Sequence, residues 1–155
     1  MIFSTLESKY SWLAGLLDAD GYIGISQHKD RKSKRQFSWR PNLKVVNTKK
    51  ILLEEIKRQF GCGTISTSGK CNYGTKKQAY QISFSSNDIR KILPEVKRFL
   101  VIKSRQSDLL LAMLIITADH RKRGYDIDFV DSQITPLWEE VRILNSGRLK
   151  WKINQ

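Results

Sequence analysis

The stretch WLAGLLDADGYIGI, residues 12–25, decides the fold because its two halves have different periods. In the first half, apolar residues recur every three or four positions, as on the buried face of a helix. After Gly21, Ile23 and Ile25 alternate with small residues, which is typical of a half-buried strand. The helix ends on Asp18 and Asp20, although carboxylates are unfavourable at the negative C-terminal end of a helix. We therefore expect a positive group close to these two acids.

Length and composition favour one folded domain. The chain has 155 residues, of which 40% are hydrophobic and 10% aromatic, enough for a proper core. Its longest apolar run, LLLAMLII, is too short to cross a bilayer. Cys62 and Cys71 are too few for a disulfide framework. We predict a single domain over residues 1–155, with a core at about 5–120 and C-terminal helices at about 121–150, in an intracellular location, prokaryotic cytoplasm or organelle.

The net charge predicts the class of partner. Lys and Arg number 28 against 15 Asp and Glu, which gives +13 at pH 7. A surplus of this size favours a polyanion, most often nucleic acid. A basic surface that serves solubility alone is the alternative, and the position of the charges within the fold decides between the two.

Periodicity predicts a helix followed by two strands, twice over, and then further helices. This order is typical of an α+β domain with a four-stranded sheet and helices covering one of its faces. The predicted helices cover residues 5–20, 48–60, about 88–99, 104–120 and 131–145, and the predicted strands cover 22–28, 37–47, 61–67 and 79–85.

Local signals predict where these elements begin, end or break. Thr48 is the expected N-cap of the second helix, and Ser86 or Asn87 that of the third. Gly21 and Gly61 are expected to end the first two helices. Pro41 cannot donate a ladder hydrogen bond, so it indicates an edge strand or a bulge. On the first helix, Gly15 and Ala19 lie four residues apart, a spacing that lets a second helix approach closely.

At this point the sequence resembles a known family. LAGLLDADG, Leu13–Gly21, differs at one conservative position from the signature that names the LAGLIDADG homing endonucleases. NTKKILLEEIKRQFGCGTI, residues 47–65, is similar to the family's polar amide, leucine-rich helix and Gly-x-Gly strand start. LVIKSRQ, residues 100–106, resembles the segment that carries a catalytic lysine. The resemblance covers about residues 5–120.

The family resemblance implies a fold and an assembly. The fold is αββαββα with a saddle-shaped antiparallel sheet, half of a saddle over double-stranded DNA. Members with one motif, as here, are homodimers in which the two motif helices pack together. The residues expected at this interface are Leu13, Gly15, Leu16 and Ala19.

The activity implied is cleavage of both DNA strands at a specific, pseudo-palindromic target of about 20 base pairs. It implies an intron-encoded enzyme that promotes intron mobility and uses Mg²⁺, a hard ion that oxygen ligands hold and that assists phosphodiester hydrolysis. An RNA-splicing maturase, or a DNA-binding regulator that does not cut, is the alternative on the same fold.

The catalytic residues follow from matching motifs. Asp20 matches the metal-binding acid, and the backbone carbonyl of Ala19 a supporting ligand. Asn47 occupies the position of the polar residue, often Gln, that positions water or metal. Lys103 matches the lysine that stabilises the charged transition state. Asp18 either orders the helix end or helps electrostatically, and the secondary candidates are Lys49, Arg105 and Gln106.

Polar side chains that alternate onto the open face of the predicted sheet are the expected DNA contacts. A solvated strand face is the alternative for any one of them. The expected base readers are Ser26, His28, Ser38, Arg40, Asn42, Lys44, Ser66, Ser68 and Gln81. Basic residues in the two connections are expected to hold phosphates, namely Arg31, Lys32, Lys34, Arg35 and Lys70.

Overall fold

The computed structural model describes residues 5–29, 37–70, 77–124 and 126–146. Predictions for Arg31, Lys32, Lys34, Arg35 and the Lys70 side chain lie outside the described residues. Within these ranges the elements follow the order αββαββα with two further helices. They are α1 Leu6–Asp20, β1 Gly21–Lys29, β2 Phe37–Asn47, α2 Lys50–Phe60, β3 Thr64–Lys70, β4 Gln78–Ser83, α3 Ser86–Lys97, α4 Ser104–Arg123 and α5 Ile127–Asn145.

The chain folds into two compact units. The first consists of Met1–Ile23 with Asn42–Ser104, and the second of Gly24–Pro41 with Arg105–Gln155. The single domain expected over residues 1–155 stays a prediction. No helix in the described ranges is long and apolar enough to cross a membrane.

The strands form one four-stranded sheet in the order β1-β2-β4-β3. β4 is antiparallel to both β2 and β3, and Ile82 lies opposite Val45 on one side and Ile65 on the other. The predicted α+β class with an antiparallel sheet is confirmed. β2 pairs with β4 over Lys44–Asn47. Pro41 lies outside that stretch, so it removes no hydrogen bond between β2 and β4.

The core of the first unit comes from the apolar faces that the periodicity predicted. Leu17 of α1, Leu53 and Ile56 of α2 and Ile89 of α3 are fully buried. α2 contacts β4, where Ile82 is also fully buried, and α1 contacts α3. Burying each such side chain contributes roughly 1.5–3 kcal/mol, so these contacts stabilise the unit.

The second unit is centred on Trp39. This residue is 8% exposed, and its ring centroid lies 5.6 Å from that of Trp138 on α5. Its indole Nε1 donates a hydrogen bond of 2.8 Å to Asp131 Oδ1. Val130 and Ile134 are buried on the same helix. The indole therefore fixes α5 through both ring packing and a charged acceptor.

Trp39→Phe keeps an aromatic ring but removes the donor to Asp131. A hydrogen bond to a charged group contributes about 1.5–3 kcal/mol, so the free energy of unfolding should fall by about that amount plus the lost ring area. Urea unfolding followed by far-UV circular dichroism measures it. An unchanged midpoint would mean that the indole N–H does not stabilise the unit.

Two predicted N-caps are wrong. Lys49, not Thr48, occupies the N-cap of α2 and makes no side-chain cap hydrogen bond. Ser85, rather than Ser86 or Asn87, caps α3, because its hydroxyl accepts from the Asp88 backbone while the Asp88 carboxylate accepts from the Ser85 N–H. This reciprocal capping box satisfies two N–H groups together, which a single cap at the next position would not do.

Two helices are longer than predicted. α4 continues to Arg123 and α5 begins at Ile127 instead of residue 131, with Asp126 as its N-cap. Pro94 lies inside α3 and Pro136 inside α5, and neither ends its helix. The earlier start of α5 has a local cause, since the Asp126 side chain accepts a hydrogen bond from the Asp128 N–H.

Gly61 and Gly21 end their helices for different reasons. Gly61 has φ 65°, the left-handed cap that glycine favours, as predicted. Gly21 is extended, with φ −86°. It is required for space, since a Cβ there would lie 2.5 Å from Leu17 Cα.

Gly21→Ala is therefore expected to destabilise the fold by about 1–3 kcal/mol, the usual cost of overpacking. The neighbouring atom belongs to the backbone and cannot rotate away. Gly15→Ala is the matched control, because a Cβ at Gly15 meets no atom within 4 Å. Thermal unfolding of both variants checks this, and equal melting temperatures would contradict it.

Candidate active site

Asp18, in the last turn of α1, binds the backbone of the segment that joins α3 to α4. Its carboxylate accepts hydrogen bonds from three consecutive backbone N–H groups, those of Val101 at 2.8 Å, Ile102 at 3.2 Å and Lys103 at 2.9 Å. Hydrogen bonds from backbone N–H groups to a carboxylate are charge-assisted and therefore stronger than neutral ones. Of the two roles left open for Asp18, the contacts support ordering the chain.

The Lys103 side chain binds the C-terminal end of α1. The ammonium donates to the carbonyl oxygens of Leu17 at 2.5 Å, Asp18 at 2.9 Å and Gly21 at 2.8 Å. These three bonds use all three of its donors. They place a positive charge at the negative C-terminal end of α1. The positive group expected beside the two acids is therefore present within the chain itself.

The environment of the Lys103 ammonium affects its titration in two opposing directions. Burial lowers its pKa from the ordinary lysine value, since the charged form loses solvent. The carboxylates of Asp18 and Asp20 act in the opposite direction and favour the charged form. The net direction is downward.

Asn47 lies beside Asp20, at the end of β2. Its Nδ2 donates to Asp20 Oδ2 at 3.1 Å, and its Oδ1 accepts from the backbone N–H of Lys49 at 2.8 Å. The second bond fixes which way the amide points, so that the donor faces the acid. The structure thus brings together Asp20, Asn47 and Lys103, as the motifs predicted, although these residues are far apart in sequence.

The donor set at the end of α1 suits a hard divalent cation. Asp20 is exposed, and Asn47 contacts only its Oδ2. The Ala19 carbonyl is not among the oxygens that Lys103 contacts in the described structure. Among the described residues, no group of three Asp, Glu, His or Cys side chains could hold a metal. Since Mg²⁺ takes six oxygen ligands, one chain supplies only part of such a shell.

The secondary candidates lie elsewhere or are used otherwise. Arg105 donates through Nε and Nη2 to the two carboxylate oxygens of Glu140, at 2.7 and 3.0 Å. Gln106 is 6% exposed. Lys49 contributes its backbone N–H to Asn47.

Several predicted DNA contacts of the first unit lie on the polar face of the sheet. Lys44 is paired with Ser83, and Ser66 with Gln81, whose Nε2 donates to the Ser66 hydroxyl oxygen at 3.2 Å. The Lys44 ammonium lies 5.6 Å from the centroid of the Tyr22 ring. The remaining members of the set are half-buried, Asn42 on β2 and Ser68 on β3.

The other predicted base readers belong to the second unit. His28 and Arg40 are exposed, whereas Ser26 and Ser38 are half-buried. Ser38 also lines a cavity of about 240 Å³ with Trp39. The exposed pair is thus the more accessible to a large ligand.

One face of α1 is open. Gly15 and Ala19 are exposed and Leu16 is half-buried. Leu13 is 0% exposed, so its assignment to an interface between chains is wrong. At about 100° per residue, Leu13 lies beside Leu17 on the core side of the helix, opposite the small residues.

Three exposed aliphatic side chains were missed by sequence reasoning. Ile51 is 75% exposed, Val101 84% and Ile102 71%. Ile51 belongs to an apolar run with Leu52 and Leu53, and three consecutive residues cannot share one narrow helical face. No local signal separates Val101 and Ile102 from core residues.

Comparisons with known proteins agree with this geometry. A family model described as LAGLIDADG endonuclease matches residues 13–116. The structure of the homing endonuclease I-CvuI in complex with DNA superposes with a TM-score of 0.74 at 23% identity, over 92% of this chain and 85% of that one. The group I intron-encoded I-CeuI with DNA gives 0.71 at 18%, over 92% and 69%. An archaeal intron-encoded endonuclease, I-Vdi141I, gives 0.68 at 18%, over 88% and 83%. No curated protein matches by sequence.

Proposed function

Because the chain belongs to the LAGLIDADG endonuclease family, we propose that it is a homodimeric, Mg²⁺-dependent homing endonuclease that cuts both strands of a specific DNA target. The observation that carries the proposal is the exposed Asp20 at the end of α1, with Asn47 and Lys103 gathered around it. We further propose that it is intron-encoded and promotes intron mobility. Its intracellular location stays a prediction.

Asp20 and the Ala19 carbonyl would hold the cation. When bound, Mg²⁺ polarises a phosphate, activates water and steadies the leaving oxygen. Asn47 orients the carboxylate through its 3.1 Å hydrogen bond to Oδ2. Lys103 keeps a positive charge at the helix end, where the negative scissile phosphate would otherwise meet only carboxylates and carbonyls.

A second copy would complete the site. Each chain contributes one exposed carboxylate, so two motif helices ending side by side bring two carboxylates to the DNA, one for each strand. The open face of Gly15 and Ala19 supports this packing, since small residues let helix backbones approach. A symmetric pair prefers a pseudo-palindromic target, and two subunits would span about 20 base pairs.

Charge and the polar sheet face support DNA as the substrate. Two chains of +13 carry 2 × 13 = +26, which predicts binding that weakens steeply as salt rises. Arg40 and Lys44 suit guanine, while Asn42 and Gln81 suit adenine.

The direct test is a cleavage assay on DNA that spans the intron insertion junction of the host gene. Supercoiled plasmid with Mg²⁺ should become linear at one site, and the same mixture with EDTA should not. Retained specific binding without any cut in Mg²⁺ would contradict the proposal and favour the maturase or regulator. Cleavage that EDTA leaves unaffected would contradict the metal requirement.

A further inference from the structure

We propose that Ile51 of one chain packs against Val101 and Ile102 of a second copy, so that these three side chains form two apolar contacts flanking the paired α1 helices. The proposal rests on the homodimer of the proposed function. It goes beyond that function by assigning an interaction surface outside the motif helix.

Exposure is the first observation. The three side chains are 71–84% exposed, and Val101 and Ile102 are consecutive. Burying these side chains on association would remove apolar area from water. They lie next to the catalytic candidates, since Ile51 is four residues after Asn47 and Val101 two before Lys103.

Rigidity is the second observation. The Asp18 carboxylate binds the backbone N–H groups of both Val101 and Ile102. The backbone that carries the two side chains is thus held in place, which lowers the conformational entropy lost on binding. On the other side, Ile51 lies in the first turn of α2, which begins directly after the fixed Asn47 amide.

The helical geometry of α1 decides the pairing. At about 100° per residue, Asp18 lies about 80° to one side of the midline between Gly15 and Ala19, and Asp20 about 120° to the other. Asp18 holds the Val101 segment, and Asp20 holds Asn47 and hence the start of α2. The two apolar groups therefore flank the open face of α1 on opposite sides.

Symmetry then identifies the occupant of each flank. Two helices that bring their Asp20 ends together are parallel, so the two-fold axis runs along them. Rotation about such an axis sets the left flank of one chain against the right flank of the other. Each Ile51 consequently meets Val101 and Ile102 of the second copy, twice per dimer, as an isologous interface requires.

The test is a charge exchange measured by sedimentation equilibrium on the full chain without DNA. Ile51→Lys alone and Ile102→Glu alone should each weaken the dimer at least about tenfold, since a charge then faces an aliphatic group. The double variant should regain most of this loss, because each new lysine meets a new glutamate. Ile115→Glu is the matched control: Ile115 is 64% exposed on α4, and its change should leave the dimer unaltered.

The outcomes separate the inference from the proposed function. A wild-type chain that stays monomeric and does not cut DNA contradicts the proposed function. A wild-type dimer that cuts DNA, with single variants dimerising equally well, overturns only the inference. A double variant whose dimer is weaker than that of either single variant also overturns it. In that case the two introduced lysines would face each other, and so would the two introduced glutamates, across the interface. The melting temperature of each variant is measured as well, and an unchanged value shows that a weaker dimer is not caused by misfolding.

Discussion

Asp20→Asn is expected to lower the single-turnover cleavage rate at least about a thousandfold while leaving specific DNA binding unchanged. The amide keeps the size of the side chain but loses the negative charge that would hold the cation. Asn47 contacts Oδ2 through its amide N–H, and the variant can keep an oxygen at that place. Quenched-flow cleavage of a defined target measures the rate, and a gel-shift titration measures the affinity.

The control for this variant is Asp18→Asn. Its carboxylate accepts three backbone hydrogen bonds, so neutralising it should lower stability first and cleavage only as a consequence. Urea unfolding distinguishes the two, with Asp20→Asn retaining the wild-type midpoint. Cleavage by Asp20→Asn at the native rate would remove Asp20 from the active site.

Gly15→Leu is expected to weaken the dimer at least about a hundredfold, and cleavage should fall with it. In the isolated chain Gly15 is exposed, and a Cβ there meets no atom within 4 Å. Between two helices packed backbone to backbone, the same side chain would force the axes apart. Sedimentation equilibrium measures the dissociation constant, and a plasmid assay measures double-strand cutting.

Lys57→Leu serves as the comparison, because it adds a leucine at an exposed position of α2. It should leave the dissociation constant and the melting temperature close to wild type. If Gly15→Leu also dimerises normally and cuts DNA, the open face of α1 is not the contact between chains.

The sequence predicted which residues form the candidate site better than it predicted the hydrogen bonds that hold them there. Asp20, Asn47 and Lys103 were assigned by motif and lie together in the structure. A positive group near Asp18 and Asp20 was predicted, but the individual hydrogen bonds between Asp18 and Lys103 were not. In each of them a charged side chain bonds a backbone atom about 85 positions away, and the sequence does not signal which backbone atom that is.

The sequence by itself determined the order of helices and strands, because hydrophobic period, glycine stops and the motif are local properties. Its net charge of +13 favoured a polyanionic partner. Only the tertiary structure decided that Leu13 is buried, that Ser85 caps α3 and that Ile51, Val101 and Ile102 are exposed. The physical reason is that burial and charge pairing depend on what the chain places opposite a residue, and that is set by contacts distant in sequence.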